Sequence, residues 1–171
     1  MQPNILIILT DQQKLSTLST YGGTDVETPN IDALAAGGFR FDRSYCCSAV
    51  CSPSRGSIFT GRYPHAHGVT GNNLRLREDA TTIAEVAKDA GYVCGYAGKW
   101  HLDGPEYPGW VPESRGRGFE DSLLMFNRGH WKYARARECG YPGLYADEHT
   151  FGEFFYLDNE EYSDAVYMTD Y

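Results

Sequence analysis

A parallel α/β sheet is the fold class this sequence predicts, and three features of the chain point to it. The run Ile5 to Leu9 is continuous, β-branched and bounded by Asn4 and Asp11, which reads as a strand buried on both faces. Helical periodicity recurs after it, and strand-like stretches lie between the helical ones. Strands that alternate with helices are best buried as a parallel sheet covered by helices.

The elements follow in order. In "TPNIDALAAGG", Thr28 or Asn30 can cap a short helix on which Ile31, Leu34 and Ala35 share a face, with Gly37 and Gly38 ending it. "FRFDRSYCCSAV" alternates Phe39, Phe41 and then Tyr45, which predicts a second strand leading toward Cys51. A second helix is predicted from near Pro53 to about Gly61, with Ser52 as its N-cap and Cys51 just outside it. "TTIAEVAKDAGY" puts Ile83, Val86, Ala87 and Ala90 on one helical face and closes at Gly91, and "YVCGYAG" reads as a third strand. From Gly104 to about Gly152 periodicity gives way to Gly, Pro, Arg and aromatic residues, as expected of a functional loop region. The closing stretch "NEEYSDAVYMTDY" spaces Tyr162, Ala165, Val166 and Thr169 as a helix would, without a stop signal.

A chain of 171 residues can bury one core, removing roughly 70% of its unfolded surface from water. Its 42% hydrophobic and 22% charged residues are ordinary for a globular protein, and 13 tyrosines suit a binding cleft. A net charge of -8 argues against a broad nucleic-acid surface, so "SRGRGF" and "RGHWKYARAR" read as solvated or sugar-binding loops. The five cysteines, Cys46, Cys47, Cys51, Cys94 and Cys139, show no disulfide framework, which fits a reducing compartment. The apolar run ILIIL has neither a basic region before it nor a cleavage site after it, and no run nears the ~20 residues that span a bilayer. No membrane partner and a cytoplasmic location are expected; a signal peptide already removed would instead make the protein periplasmic or secreted.

Several residues carry chemistry. Cys51 at a helix start occupies an anion-binding position, and Arg55 one turn along can add a forked donor to the same oxyanion. A small buried cysteine beside a helix is the alternative. Asp11 and Gln12, at the carboxyl end of the first predicted strand, can offer oxygens to a hard cation such as calcium, or Asp11 is simply a turn carboxylate. In "GKWHL", Lys99 and His101 lie two apart in extended backbone and so project to one side, where both can reach one oxyanion. Cys47, Cys51, His65 and His67 have donor types that suit zinc, although their spacings match no common finger.

These pieces together resemble the amino-terminal part of a type I sulfatase, of the alkaline-phosphatase-like superfamily. The segments that carry the resemblance are "PNILIILTDQQ", "TPNIDALAAGGFRF", "VCSPSRGSIFTGRYPHAHGV" and "GYVCGYAGKWHL", in the family's order over most of residues 3–103, with an echo at "RGFED". The resemblance implies a three-layer sandwich with a mostly parallel sheet, here an incomplete amino-terminal part. Residues 1–103 would form sheet core and active-site motifs, 104–152 a loop-rich substrate-side insertion, and 153–171 the start of a truncated helical segment. It further implies that Cys51 is oxidised to formylglycine by a formylglycine-generating or sulfatase-maturating enzyme. Arg55 would then stabilise the hydrated aldehyde and its anion, Lys99 and His101 would contact the sulfate or ester oxygen, and Asp11, Gln12 and the modified Cys51 would hold Ca2+.

The implied reaction is hydrolysis of a sulfate monoester of a carbohydrate or small organic alcohol. Two departures stand out. Many family members have Asp-Asp where this chain has Asp11-Gln12, and members are several times longer, with a second metal-ligand pair and another lysine and histidine beyond this chain's last residue. The expectation is therefore a fragment with little activity and weak metal binding by itself. Two other readings stay open: a phosphonate or phosphodiester hydrolase of the same superfamily, and an inactive binding or structural module in which Cys51 remains a thiol.

Overall fold

The computed structural model describes residues 2–105 and 111–127 and, as backbone, 144–145, 155–157 and 160–162. The chain divides into two compact units, Met1–Tyr45 and Cys46–Asp170.

In the first unit, helix α1 spans Pro29–Gly37, with Pro29 at its first turn, where the missing N–H costs nothing. Thr28 is its N-cap residue, as predicted, but its hydroxyl bonds sideways: it lies 2.7 Å from Ser19 Oγ, which donates to Asp32 Oδ2 at 2.6 Å. This cluster ties α1 to the tight turn Ser19–Tyr21. The predicted strands at 5–9 and 39–45 do not form. Ile5 to Leu9 are 42 to 84% exposed and Phe39 is 96% exposed, and among the described residues the first unit contains no strand. A strand buried on both faces needs ladder partners on its edges, and this unit supplies none.

The second unit opens with helix α2, Cys51–Thr60, which Gly61 ends in the left-handed conformation with its N–H on Ser57 O at 2.8 Å. Helix α3 is the single turn Pro64–His67. Helix α4, Ile83–Asp89, starts on a full capping box: Thr82 Oγ1 accepts from the Glu85 N–H at 3.2 Å and Glu85 Oε2 from the Thr82 N–H at 2.7 Å. Its predicted apolar face is not covered, since Ile83 is 44% and Val86 58% exposed while the smaller Ala84 is buried.

Strand β1, Gly95–Lys99, matches the predicted third strand and pairs in parallel with β2, Asp121–Phe126, inside the stretch expected to be loop. The register runs from Gly95 opposite Asp121 to Lys99 opposite Phe126. A small antiparallel sheet follows, β3 (Leu144–Tyr145), β4 (Phe155–Leu157) and β5 (Glu160–Tyr162), so Tyr162 belongs to a strand and not to the expected helix. The rest of that expected helix, and Cys139, lie outside the described residues.

Behind β1 and β2 lies the core, made of Phe59, Val69, Leu76, Trp100, Leu102, Val111 and Met125 with Ala80. Phe59 of α2 sits 5.1 Å from the Trp100 ring and 5.6 Å edge-on to Tyr96, and Phe119 closes the group at 5.0 Å from Tyr96. Each large side chain so buried contributes about 1.5–3 kcal/mol. The aromatic cluster therefore fastens α2 to the end of β1, and these are the two elements that carry the predicted site.

Candidate functional site

Helix α2 begins two residues earlier than its sequence implies. Val50 is the extended N-cap, its carbonyl accepts the Ser54 N–H at 3.0 Å, and Cys51 is the first helical residue. Ser52 is therefore inside the helix, not its cap. Its Oγ is fully buried with no hydrogen-bond partner among the described residues, and its N–H is capped from outside by Asn72 Oδ1 at 3.1 Å. A side-chain oxygen from another loop thus does what Ser52 was expected to do, satisfying one of the orphan N–H groups of the first turn. Cys51 is half-buried at this start, and Arg55 follows on the same helical face.

Arg55 is only 6% exposed, and its Nη1 donates to the Lys99 carbonyl at 2.6 Å. The Tyr96 hydroxyl donates to the same carbonyl. Burial pushes the Tyr96 phenol up to about 12, opposed by the neighbouring Arg55 guanidinium, so it stays protonated and remains a donor. Lys99, at the last position of β1, is itself buried. Cys51, Arg55, Lys99 and His101 all belong to the second unit, and the Lys99 carbonyl, bonded by Arg55, is the joint between helix and strand. Asp11 and Gln12 belong to the other unit.

The same-side argument for Lys99 and His101 needs correction, because the extended backbone it requires ends before His101. That residue has φ 60, and Gln12 has φ 49. A non-glycine residue in this left-handed region is strained by roughly 1–2 kcal/mol, and such strain concentrates at functional sites. Two of the predicted site residues carry it. Neither could be foreseen from periodicity, which is blind to single-residue dihedral angles.

His67 has a different role from the zinc ligand considered above. It is completely buried; Nδ1 accepts the Val69 N–H at 3.2 Å, so Nε2 carries the hydrogen and faces Ser57 Oγ at 3.1 Å. Gly56 leaves room for the ring, since a Cβ there would come within 2.5 Å of it. His65 lies exposed, stacked 6.0 Å from Tyr63, and among the described residues no three His, Cys, Asp or Glu side chains gather. His67 is a brace between α2 and α3. Burial lowers its pKa below the ordinary histidine value, against partial opposition from backbone hydrogen bonds. The fold favours the neutral ring, so its contribution to stability is complete above about pH 6.5 and declines as pH falls below that value. Melting temperatures should therefore drop from about pH 7.5 to about pH 5.5; a His67→Gln variant with an unchanged pH slope would show that another group is responsible.

The cluster of the described residues does not by itself make a calcium cage. Calcium takes six to eight oxygen ligands, and the candidates Asp11 and Gln12 offer one carboxylate and one amide, with no gathered acidic group beside them. Among the described residues Cys46, Cys47, Cys51 and Cys94 form no disulfide, and no helix is long and apolar enough to cross a membrane.

Superposition on solved sulfatases, with a TM-score of 0.67 at 27% identity for one of them, assigns the fold to the alkaline-phosphatase-like class of α/β proteins. More narrowly, the chain belongs to the sulfatase family, whose model, described as Sulfatase, matches residues 3–170. An ulvan-active sulfatase of Formosa agariphila is 36% identical over 93% of this chain and 27% of its own length. A solved structure in complex with its substrate D-glucosamine-2-N,6-O-disulfate superposes with a TM-score of 0.58 at 39% identity, covering 60% of this chain and 21% of the other. The phosphonate monoester hydrolase of Agrobacterium radiobacter gives a TM-score of 0.59 at 28% identity, covering 82% and 29%. The chain thus spans about a quarter of the length of the curated relatives it matches.

Proposed function

We propose that the protein hydrolyses a sulfate monoester carried on a carbohydrate, with Cys51, Arg55, Lys99 and His101 as the reacting and anion-binding groups. The observation that carries this reading is the 2.6 Å bond from Arg55 to the Lys99 carbonyl, which unites the Cys51 helix with the strand end that presents Lys99 and His101. Relatives named for sulfated substrates support the substrate class. Oxidised to formylglycine by a maturation enzyme, Cys51 would supply a hydrated aldehyde, one hydroxyl of which attacks sulfur while the other drives sulfate out as the aldehyde re-forms.

The chain's own residues do the rest. Arg55, anchored by the Lys99 carbonyl one turn after the start of α2, would bind the anion with its guanidinium where the helix dipole favours negative charge. Lys99 neutralises a sulfate oxygen, and His101 gives a proton to the departing alcohol oxygen. Asp11 and Gln12 are proposed to offer oxygens to a calcium ion that needs further ligands to be held.

Intact-mass analysis of the protein from its native host tests the proposal. Conversion of the thiol to the aldehyde lowers the mass by about 18 Da, and an unmodified Cys51 in that sample removes the nucleophile from the scheme. The likeness to a phosphonate monoester hydrolase favours a second reading, hydrolysis of phosphonate monoesters at the same residues. Comparing kcat/KM for 4-nitrophenyl sulfate with that for a 4-nitrophenyl phosphonate separates the two.

A further inference from the structure

Tyr96 lies in β1 with its ring edge-on to three aromatic neighbours, Phe59 at 5.6 Å, Trp100 at 5.8 Å and Phe119 at 5.0 Å. A phenylalanine would pack there as well. A hydroxyl carried into such a cluster costs stability unless it is bonded, so the reason for tyrosine lies in the bond it makes. That bond goes to the Lys99 carbonyl, the acceptor that Arg55 Nη1 also uses at 2.6 Å. A carbonyl oxygen has two lone pairs, and here α2 and β1 each send it a donor. Arg55 acts on the phenol directly as well, through a hydrogen bond and through its charge.

The peptide that carries this carbonyl joins Lys99 to Trp100, and it is held on its other side too: the Trp100 N–H donates to the Phe126 carbonyl at 2.6 Å. Trp100 is only 1% exposed, so the peptide cannot turn without disturbing a packed core. Its plane sets the direction in which the chain leaves β1, with Lys99 before it and His101, at φ 60, just after. Arginine is long, and one anchor alone lets a guanidinium rotate. A second donor on the same carbonyl, itself bonded to the guanidinium, closes a network of Arg55, Tyr96 and the Lys99 carbonyl in which each bond restricts the others. A tyrosine inside a strand is a more exact support for such a group than a loop residue would be.

We infer that Tyr96 is a positioning residue of the anion site: its hydroxyl fixes the Arg55 guanidinium and the Lys99–Trp100 peptide that presents Lys99 and His101. The inference rests on the proposed anion-binding role of Arg55 and deepens it. Tyr96 acts through these groups and not on the substrate.

Tyr96→Phe tests it, because the change removes one oxygen and keeps the ring among its neighbours. The first readout is the nitrogen-15 NMR signal of the Arg55 guanidinium in arginine-labelled protein, identified by its disappearance in Arg55→Lys. Rotation about the Nε–Cζ bond should be about fivefold or more faster in Tyr96→Phe than in the parent. The second is turnover of 4-nitrophenyl sulfate by the protein as its host makes it, where kcat/KM should fall by about tenfold. Unchanged rotation, or unchanged kcat/KM, in a variant whose melting curve shows a folded protein overturns the inference. The rotation needs neither turnover nor a modified Cys51. A parent protein that does not cleave the sulfate ester therefore refutes the proposed hydrolysis, while the NMR signal still decides whether Tyr96 holds Arg55.

Discussion

Replacing Cys51 by alanine is expected to lower sulfate-ester hydrolysis by the protein, as its host makes it, by at least about a thousandfold. Alanine is the best helix former and Cys51 is the first residue of α2, so the melting temperature should stay close to that of the parent protein. The loss therefore reports chemistry and not folding. Cys51→Ser makes a sharper test. A serine hydroxyl can attack sulfur once, but it lacks the second hydroxyl that would expel sulfate, so the variant should release about one equivalent of alcohol and keep a covalent sulfate, a gain of about 80 Da. Continued turnover by Cys51→Ser, or activity surviving in Cys51→Ala, would place the nucleophile elsewhere.

Gly118→Ala should be among the most destabilising single changes in the second unit. Gly118 has φ +89, and a Cβ there would lie 2.4 Å from the Glu85 nitrogen and 2.7 Å from the Ala84 carbonyl carbon, both backbone atoms of the first turn of α4. That turn cannot easily yield. Thr82 Oγ1 donates to the Arg117 carbonyl at 2.7 Å while its own capping box holds the helix start. The strained backbone contributes roughly 1–2 kcal/mol and the overpacking about 1–3 kcal/mol, so a total of about 2–5 kcal/mol is expected in urea or thermal melts. Gly37→Ala is the control, since a Cβ at that position meets nothing within 4 Å. Equal melting of the two variants would mean that the turn at Gly118 shifts at little cost.

How much of this was legible beforehand depends on how local each signal is. Helix α2 could be read because Pro53 near its start and Gly61 at its end act within a turn of themselves, and α4 because Thr82 and Glu85 form their box three residues apart. Arg55 was legible as a partner of Cys51 for the same reason, one helical turn separating them. Its bond to the Lys99 carbonyl, across a separation of 44 residues, was not.

Asn72 and Tyr96 escaped notice because nothing near them in the chain announces a cap or a phenol bonded to a carbonyl; both meanings arise from residues brought alongside by folding. The pairing of β2 with β1 was hidden similarly, since "DSLLMF" is short and its partner lies about two dozen positions earlier. The apolar run at Ile5 misled in the opposite direction. Its pattern states what the segment would do with partners on both edges, and pattern alone does not supply them.

That same run has a consequence for handling the protein. Ile5 to Leu9 is a window of β-branched and aliphatic residues without charge or proline, and every member is at least 42% exposed. Windows of this length and composition are those that stack between molecules into cross-β ladders, and the flanking Asp11 is the nearest gatekeeper charge. The amino-terminal run is thus expected to lower solubility at high concentration, and a lysine in place of Leu6, the most exposed of its residues at 84%, is the change that should raise it.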